Sequence, residues 1–599
     1  QNTDPLPFQF ARRASDGRRT FGAAFSLSPD EKIFGCGESF TRLDKRGQRL
    51  VLWTSDALGV QTGGMYKPIP FFLSSRGYGM FVHTSAPVTC DFGRAYDGAT
   101  FLATPGGTLD LFFFFGEPKE VLGEYTSFTG RSPVPPLWSF GLWMSRLTYR
   151  SEEETRAVAR RLREERIPCD VIHLDTGWFE TEWRCDYRFS PLRFPDAKGM
   201  LADLRKDGFR VSAWQLPYVN PNNPLYREMI DKGFVVRDPD GHIPAGDAVV
   251  DLSNPNAVRW YQKLLAGLLE TGVSAIKADF GEAAPYGGVY ASGGSGMTEH
   301  NLYPLRYNLA VSDITKRTTG DSIIWARSAW AGSQRCPVHW GGDAECTDSA
   351  MAASLRAGLS LGLSGFTFWS HDIGGFVGRS SEQLYRRWLA FGMLTSHSRC
   401  HGESPKEPWH YSESFTDEFR RIVELKYRLM PYIYAQSARA ASLGHPLMRP
   451  LFFEYPHDPG SWLVEDEYLL GTDLLVAPFM EDVPERPVYL PPGVWTDYQT
   501  GAAYRGPGWE VMGADPVAVV MLVRDGAAIL HVAPSLSTAF MDWNRIELRV
   551  FANKTDAADC LFALPGEDSV YTLHLARDGG SFRLTDEPFG GRVTWGVNI

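Results

Sequence analysis

A series of apolar runs in this chain ends on residues that ionise or donate hydrogen bonds. The run 171-VIHL leads into Asp175, 211-VSAW ends on Trp214, and 273-VSAI leads into Lys277, Asp279 and Glu282. Further on, 323-IIWA leads into Arg327, 338-VHWGG into Asp343, 366-FTFW into His371 and Asp372, and a last block into His401. Two carboxylates on different strand ends suit glycoside hydrolysis, one as nucleophile or base and the other as acid. Lys277 lies two residues before Asp279, so on a strand both point to one side and the ammonium keeps the carboxylate ionised. That suits a nucleophile. Asp343 follows Gly341-Gly342, and an acid there must keep its proton through poor solvation or a neighbouring carboxylate. Arg327 is a permanent donor fork for hydroxyls or a carboxylate. Spacing alone leaves Asp175 and Glu282 open as alternative catalytic partners. Other chemistries lack their residues. The segment 287-GGVYASGGSG has no Lys-Ser/Thr end for phosphate, and there is no HExxH, zinc-type Cys/His spacing or GxSxG. His339, His371 and His401 show no ligand spacing, so neither a metal nor a cofactor is expected.

These residues need a frame that brings strand ends together. Residues 138–401 alternate apolar strands with amphipathic helices, which means βα units and parallel pairing. Strands are expected at 138-WSFGLWMS, 170-DVIHLD, 209-FRVSAWQLP, 273-VSAIKADF, 322-SIIWARS, 338-VHWGGD, 366-FTFWSHD and in the block ending 396-SHSRCHG. About eight units predict a (β/α)8 TIM barrel, whose chemistry sits where strands end and βα loops begin. Helix signals support this: Ser151 with Glu154 makes a capping box, and Asn254-Pro255 is a cap followed by proline. A helical stretch at 415–443 closes the block. Before it, residues 1–134 read as an N-terminal β-sandwich of short strands between Gly, Pro and Asp turns. After it come a proximal C-terminal β domain at 446–522 and a distal one at 523–599, with the catalytic barrel taken as 135–445. The two C-terminal domains are packing supports or the contacts of a homo-oligomer.

Composition narrows the partner. The chain has 599 residues and a formal net charge of −11, against nucleic acid and anionic membranes as partners. No uncharged run approaches the ~20 residues that a spanning helix needs. Aromatic residues make up 13% of the chain, and aromatic faces with dispersed carboxylates suit a neutral sugar. The eight cysteines are scattered without CxxC, and no apolar signal region opens the chain, which together point to the cytoplasm. The chain starts without Met, as a processed or excised end does.

At these residues the sequence resembles glycoside hydrolase family 31, retaining exo-acting α-glycosidases. The segments 277-KADFGE and 326-ARSAWAGSQRCPVHWGGD resemble its nucleophile and acid/base regions. Further matches are 367-TFWSHDIGGF, 396-SHSRCHG, 190-SPLRFPDAKGM and 34-FGCGESFTRLDKRGQ with 53-WTSD. The resemblance implies Asp279 as nucleophile and Asp343 as acid and then base. It implies Asp56, Asp175, Arg327 and His401 as holders of sugar hydroxyls, with Trp214 and Lys277 lining that subsite. Trp143, Trp178, Trp340, Phe280 and Trp369 are wall aromatics or barrel core. The form KADFGE resembles the α-xylosidase branch and implies release of non-reducing-end α-xylose from an oligosaccharide. An α-glucosidase or α-transglucosylase with the same pair is the alternative, and a non-catalytic carbohydrate-binding protein is the alternative of another class. Two departures bear on specificity. Thr176-Gly177 stands where a Cys-Phe pair is usual, and Leu147 where an aromatic is common; both are expected to open space for a hydroxymethyl group. Relatives also carry more chain before the position of Phe34, which predicts an incomplete sandwich.

Overall fold

Helices begin where the sequence carries caps. Ser151 accepts from the Glu154 amide and opens the helix Glu152–Glu164, and Asn254 accepts from the Asn256 amide ahead of Pro255–Glu270. Thr347, Ser381 and Ser412 cap Asp348–Gly362, Glu382–Met393 and Glu413–Arg428 in the same way. The computed structural model describes residues 8–15, 17, 19–95, 98–103, 108–243, 246–514 and 516–598.

Between these helices run short parallel strands, buried except at Arg210: Leu142–Met144, Val171–Leu174, Arg210–Gln215, Ala275–Ala278, Trp325–Ala326, His339–Trp340, Trp369–Ser370, Asp372–Ile373 and Ser398–Cys400. Trp369–Ser370 pairs with His339–Trp340 at one end of the sheet, and Asp372–Ile373 pairs with Ser398–Cys400 at the other. The two ends are halves of one strand interrupted at His371, so the sheet closes on itself. This is the (β/α)8 barrel the strand rhythm predicts. Details differ. Residues Leu137–Phe140 form a 3-10 turn ahead of the first strand, and a 3-10 turn at Ser333–Arg335 replaces a helix between the fifth and sixth. The 415–443 stretch is two helices, Glu413–Arg428 and Met430–Leu443, parted at Leu429 where Pro431 lacks the amide to continue the ladder.

The N-terminal domain has a five-stranded and a four-stranded antiparallel sheet. The outer strand of the larger sheet, Phe8–Arg12, is exposed along its length. One helix, Pro118–Thr129, lies within the region read as all β; Glu117 and Glu120 form its capping box. The domain grips the barrel through Ser360, whose hydroxyl donates to the carbonyls of Gly35 and Gly37. A six-stranded sheet from Met448–Arg449 to Val519–Arg524 follows the barrel, and a second six-stranded sheet spans Ala527–His531 to Thr594–Asn598. The strand Val519–Arg524 runs past the expected 522/523 junction and stays in the proximal sheet. The distal segment reaches the bottom of the barrel, where the Ser537 hydroxyl and the Thr538 amide donate to Asp170. Strand Val171–Leu174 thus has an aspartate just outside each end: Asp170 ties domains together at the bottom, and Asp175 faces the top. All eight cysteines are free thiols, and among the described residues no helix is long and apolar enough to cross a membrane.

Candidate active site

The side chains at the upper strand ends meet around two cations. Lys277 Nζ lies 2.9 Å from Asp175 Oδ2 and 3.1 Å from Asp279 Oδ2. It reaches both because a strand puts residues two apart on one side. Arg327, just after the next strand, gathers four carboxylates. It holds Glu282 through Nε and Nη2 at 2.9 and 3.0 Å, Asp279 Oδ1 at 3.3 Å, Asp343 Oδ2 at 3.3 Å and Asp56 Oδ2 at 3.2 Å. Its guanidinium lies over the Phe280 ring at 4.0 Å. Asp56 comes from the sandwich loop, which is anchored by Val60 N donating to Glu345 at 3.2 Å and Thr54 N donating to Asn301 at 2.9 Å.

Five carboxylates against two cations cannot all be ionised cheaply, and the surroundings sort them. Burial pushes Asp279 up, but Lys277, Arg327 and the Trp214 indole N–H, donating at 2.7 Å, outweigh it and hold the carboxyl at about 2. Burial likewise opposes ionisation of Asp175, and Lys277 with His173 brings it below the usual range. Asp343 goes the other way. Poor solvation raises it, Arg327 only partly offsets this, and the Asp279 charge adds to it, giving about 7. Glu282 is also raised by burial, yet both its oxygens are taken by Arg327. Spacing left Glu282 and Asp175 open as partners; geometry commits Glu282 to the guanidinium and Asp175 to His173, Lys277 and its own loop.

His401 is neutral, its pKa driven down by burial and then by Arg399 and Lys277. Its Nδ1 faces the Ser145 hydroxyl at 2.9 Å, and its Nε2 has no hydrogen-bond partner among the described residues, 3.5 Å from Asp175 Oδ2. Trp340 is buried with Lys277 Nζ 4.9 Å from its ring centre. Other wall candidates are core: Trp143 packs on Trp325, Trp178 on Phe179 while donating to the Trp214 carbonyl, and Trp369 donates to Glu38. His339 meets Asn308, and His371 is stacked between Trp369 and Phe391.

Several participants carry no signal in one-dimensional spacing. Lys67 forms a buried ion pair with Glu38 and donates to the Trp340 carbonyl at 2.7 Å, so the sandwich fixes the strand leading to Asp343. Gly342 has φ +79°, and a Cβ there would meet the Tyr66 ring; glycine lets the turn to Asp343 pass close to that ring. His173 differs from these in carrying such a signal, its i, i+2 offset from Asp175, and its Nε2 lies 2.7 Å from Asp175 Oδ2.

The specificity positions are also placed. Leu147 is half-buried. Thr176 is buried, with its hydroxyl donating to Glu182 at 2.9 Å. A Cβ on Gly177 would meet Thr148 Cγ2 and Oγ1 at 2.8 Å, so Thr148 already fills the space beside Gly177. Gly177→Ala is therefore expected to cost about 1–3 kcal/mol through overpacking. Thermal unfolding reads this as a lowered Tm; an unchanged Tm would show that Thr148 gives way without cost.

Family comparison agrees with this layout. Residues 132–436 match the glycosyl hydrolases family 31 TIM-barrel domain, 2–91 the family 31 N-terminal galactose mutarotase-like domain, and 444–529 the family 31 C-terminal domain. The chain is 38% identical over 528 residues to an α-xylosidase of Emericella nidulans, covering 84% of this chain and 67% of that protein. It is 31% identical over 573 residues to α-glucosidase 2 of Bacillus thermoamyloliquefaciens, covering 90% and 72%. Among solved structures, a family 31 dextranase of Flavobacterium johnsoniae in complex with glucose superimposes with a TM-score of 0.90 at 28% identity, covering 96% of this chain and 76% of that one.

Proposed function

The chain belongs to glycoside hydrolase family 31, on its α-xylosidase-like branch, and from that premise we propose that it releases α-linked xylose from the non-reducing end of oligosaccharides by double displacement. Asp279 attacks the anomeric carbon while Asp343 passes its proton to the glycosidic oxygen, leaving a glycosyl ester on Asp279. Asp343, now a carboxylate, takes a proton from water, and the water attacks the same carbon. Two inversions restore the α configuration. Asp56, Asp175, Arg327 and His401 hold hydroxyls, and Trp214, Lys277 and Trp340 line the subsite. One observation carries this reading. A single guanidinium touches both Asp279 and Asp343, yet their surroundings push the two carboxyls in opposite directions, to about 2 and about 7.

Thr176 and Glu182 favour a second reading. Their hydrogen-bonded pair lies beside Asp175 and offers polar partners to a hydroxymethyl group, as an α-glucosidase or α-transglucosylase requires. Leaving such a polar pair unmatched by a xylosyl ring costs about 1–3 kcal/mol. The test is kcat/KM on an aryl α-xyloside against the matching α-glucoside. The α-xylosidase reading expects the xyloside to lead by tenfold or more; a lead for the glucoside replaces it with the second reading. Tight sugar binding with hydrolysis of neither would leave a carbohydrate-binding protein.

A further inference from the structure

Trp183 combines two unfavourable features. It is 52% exposed, while most tryptophans around the barrel are buried. It also has φ +69°, a left-handed conformation that costs a bulky residue roughly 1–2 kcal/mol. Backbone strain of this kind collects at ligand clamps. Its place is fixed by the loop after Asp175: the Trp183 amide donates to the Thr176 carbonyl at 3.2 Å, and the preceding Glu182 accepts from the Thr176 hydroxyl. The indole meets Trp214 edge-on at 5.1 Å and Phe280 at 6.2 Å. Trp214 in turn donates to Asp279. Trp183 therefore stands one ring outward from the nucleophile, at the rim of the site.

A second aromatic ledge lies on the sandwich side. Trp53 stacks flat on His300 at 3.8 Å and meets Tyr286, which is 65% exposed, at 6.4 Å. His300 faces the carbonyls of Thr54 and Ala284, joining the loop of Asp56 to the loop that follows Glu282. Asp175, Lys277, Trp214 and His401 are buried beneath this rim, where the reading above puts the sugar whose bond is cut. Whatever reaches the exposed rim belongs to the leaving group.

Resting on the α-glycosidase reading above, we propose that Trp183 is an aromatic platform for the leaving-group side, on which a pyranose ring lays its C–H face, with Trp53 and Tyr286 as a second ledge. The substrate class is then an oligosaccharide with at least one sugar ring beyond the cut bond. Each such ring gains apolar burial and stacking at the rim.

Glycosyl fluorides isolate this contribution, because their leaving group has no ring. The quantity measured is kcat/KM on an oligosaccharide divided by kcat/KM on the glycosyl fluoride carrying the same non-reducing sugar, using the full chain. Trp183→Ala lowers this ratio by tenfold or more, and Trp183→Phe, which keeps a ring, holds it within threefold of wild type. A ratio within twofold of wild type for Trp183→Ala overturns the proposal, whether both activities fall together or neither does. If the wild-type chain hydrolyses neither α-xylosyl nor α-glucosyl fluoride, the α-glycosidase reading itself fails and the platform fails with it.

Discussion

Asp279→Ala abolishes turnover, with kcat on an aryl α-glycoside lower by about 10⁴-fold or more, as removal of a covalent nucleophile costs. The fold should survive the change. Asp279 lies just outside the strand Ala275–Ala278, its Lys277 neighbour keeps Asp175, and Arg327 keeps Glu282, Asp343 and Asp56. The thermal transition is therefore expected to stay cooperative. Added azide enters the space the carboxylate leaves and attacks from the same face. The product is a β-glycosyl azide, formed by one inversion. Activity of Asp279→Ala within tenfold of wild type sinks the nucleophile assignment.

Asp343→Ala is expected to separate substrates by leaving group. General acid catalysis contributes about 10²–10⁴-fold where the leaving oxygen needs a proton. In kcat/KM, which reports formation of the ester, the loss is therefore large on a disaccharide and small on a glycosyl fluoride, while loss of the base slows hydrolysis of the ester for both. The pH profile carries the same assignment. Poor solvation raises the Asp343 pKa from the usual 3.8 to about 7, so the proton is present below pH 7 and lost as pH rises through it. Wild-type kcat/KM should fall above about pH 7. Asp279, held at about 2, stays ionised over the whole working range and sets no limb near neutrality. In Asp343→Ala the alkaline limb disappears; its persistence at the same pH assigns the titration to another group.

The barrel and its active-site rim were legible for a physical reason. Buried parallel strands are short and apolar, so the first polar residues after each mark the end where chemistry gathers, and Asp175, Asp279, Arg327, Asp343 and His401 stand in such places. The Lys277–Asp279 offset of two translates directly into a shared cation. What stayed hidden depends on chain segments far apart. Lys67 and Glu38 pair beneath Trp340 through the packing of sandwich on barrel, and no local pattern announces a buried ammonium there. Thr148 and Gly177 come from loops after different strands, so the reading that glycine opens space missed the threonine that occupies it. Trp183 was hidden for the opposite reason. A tryptophan in a sequence reads as core, and only the fold shows this one strained and facing outward. The helix Pro118–Thr129 was passed over because the apolar β runs before it set the expectation, although Glu117, Pro118 and Glu120 spell a helix start.

The central claim is that Asp279 carries the sugar through a covalent ester. A fluorinated α-glycosyl fluoride tests it directly, because the ring fluorine slows release of the ester while the fluoride leaving group keeps its formation fast. After incubation and proteolysis, mass spectrometry should find one glycosyl unit on the peptide containing Lys277-Ala278-Asp279-Phe280 and none on the peptide containing Asp343. Steady turnover with no labelled peptide, or a label on any other carboxylate, contradicts the account.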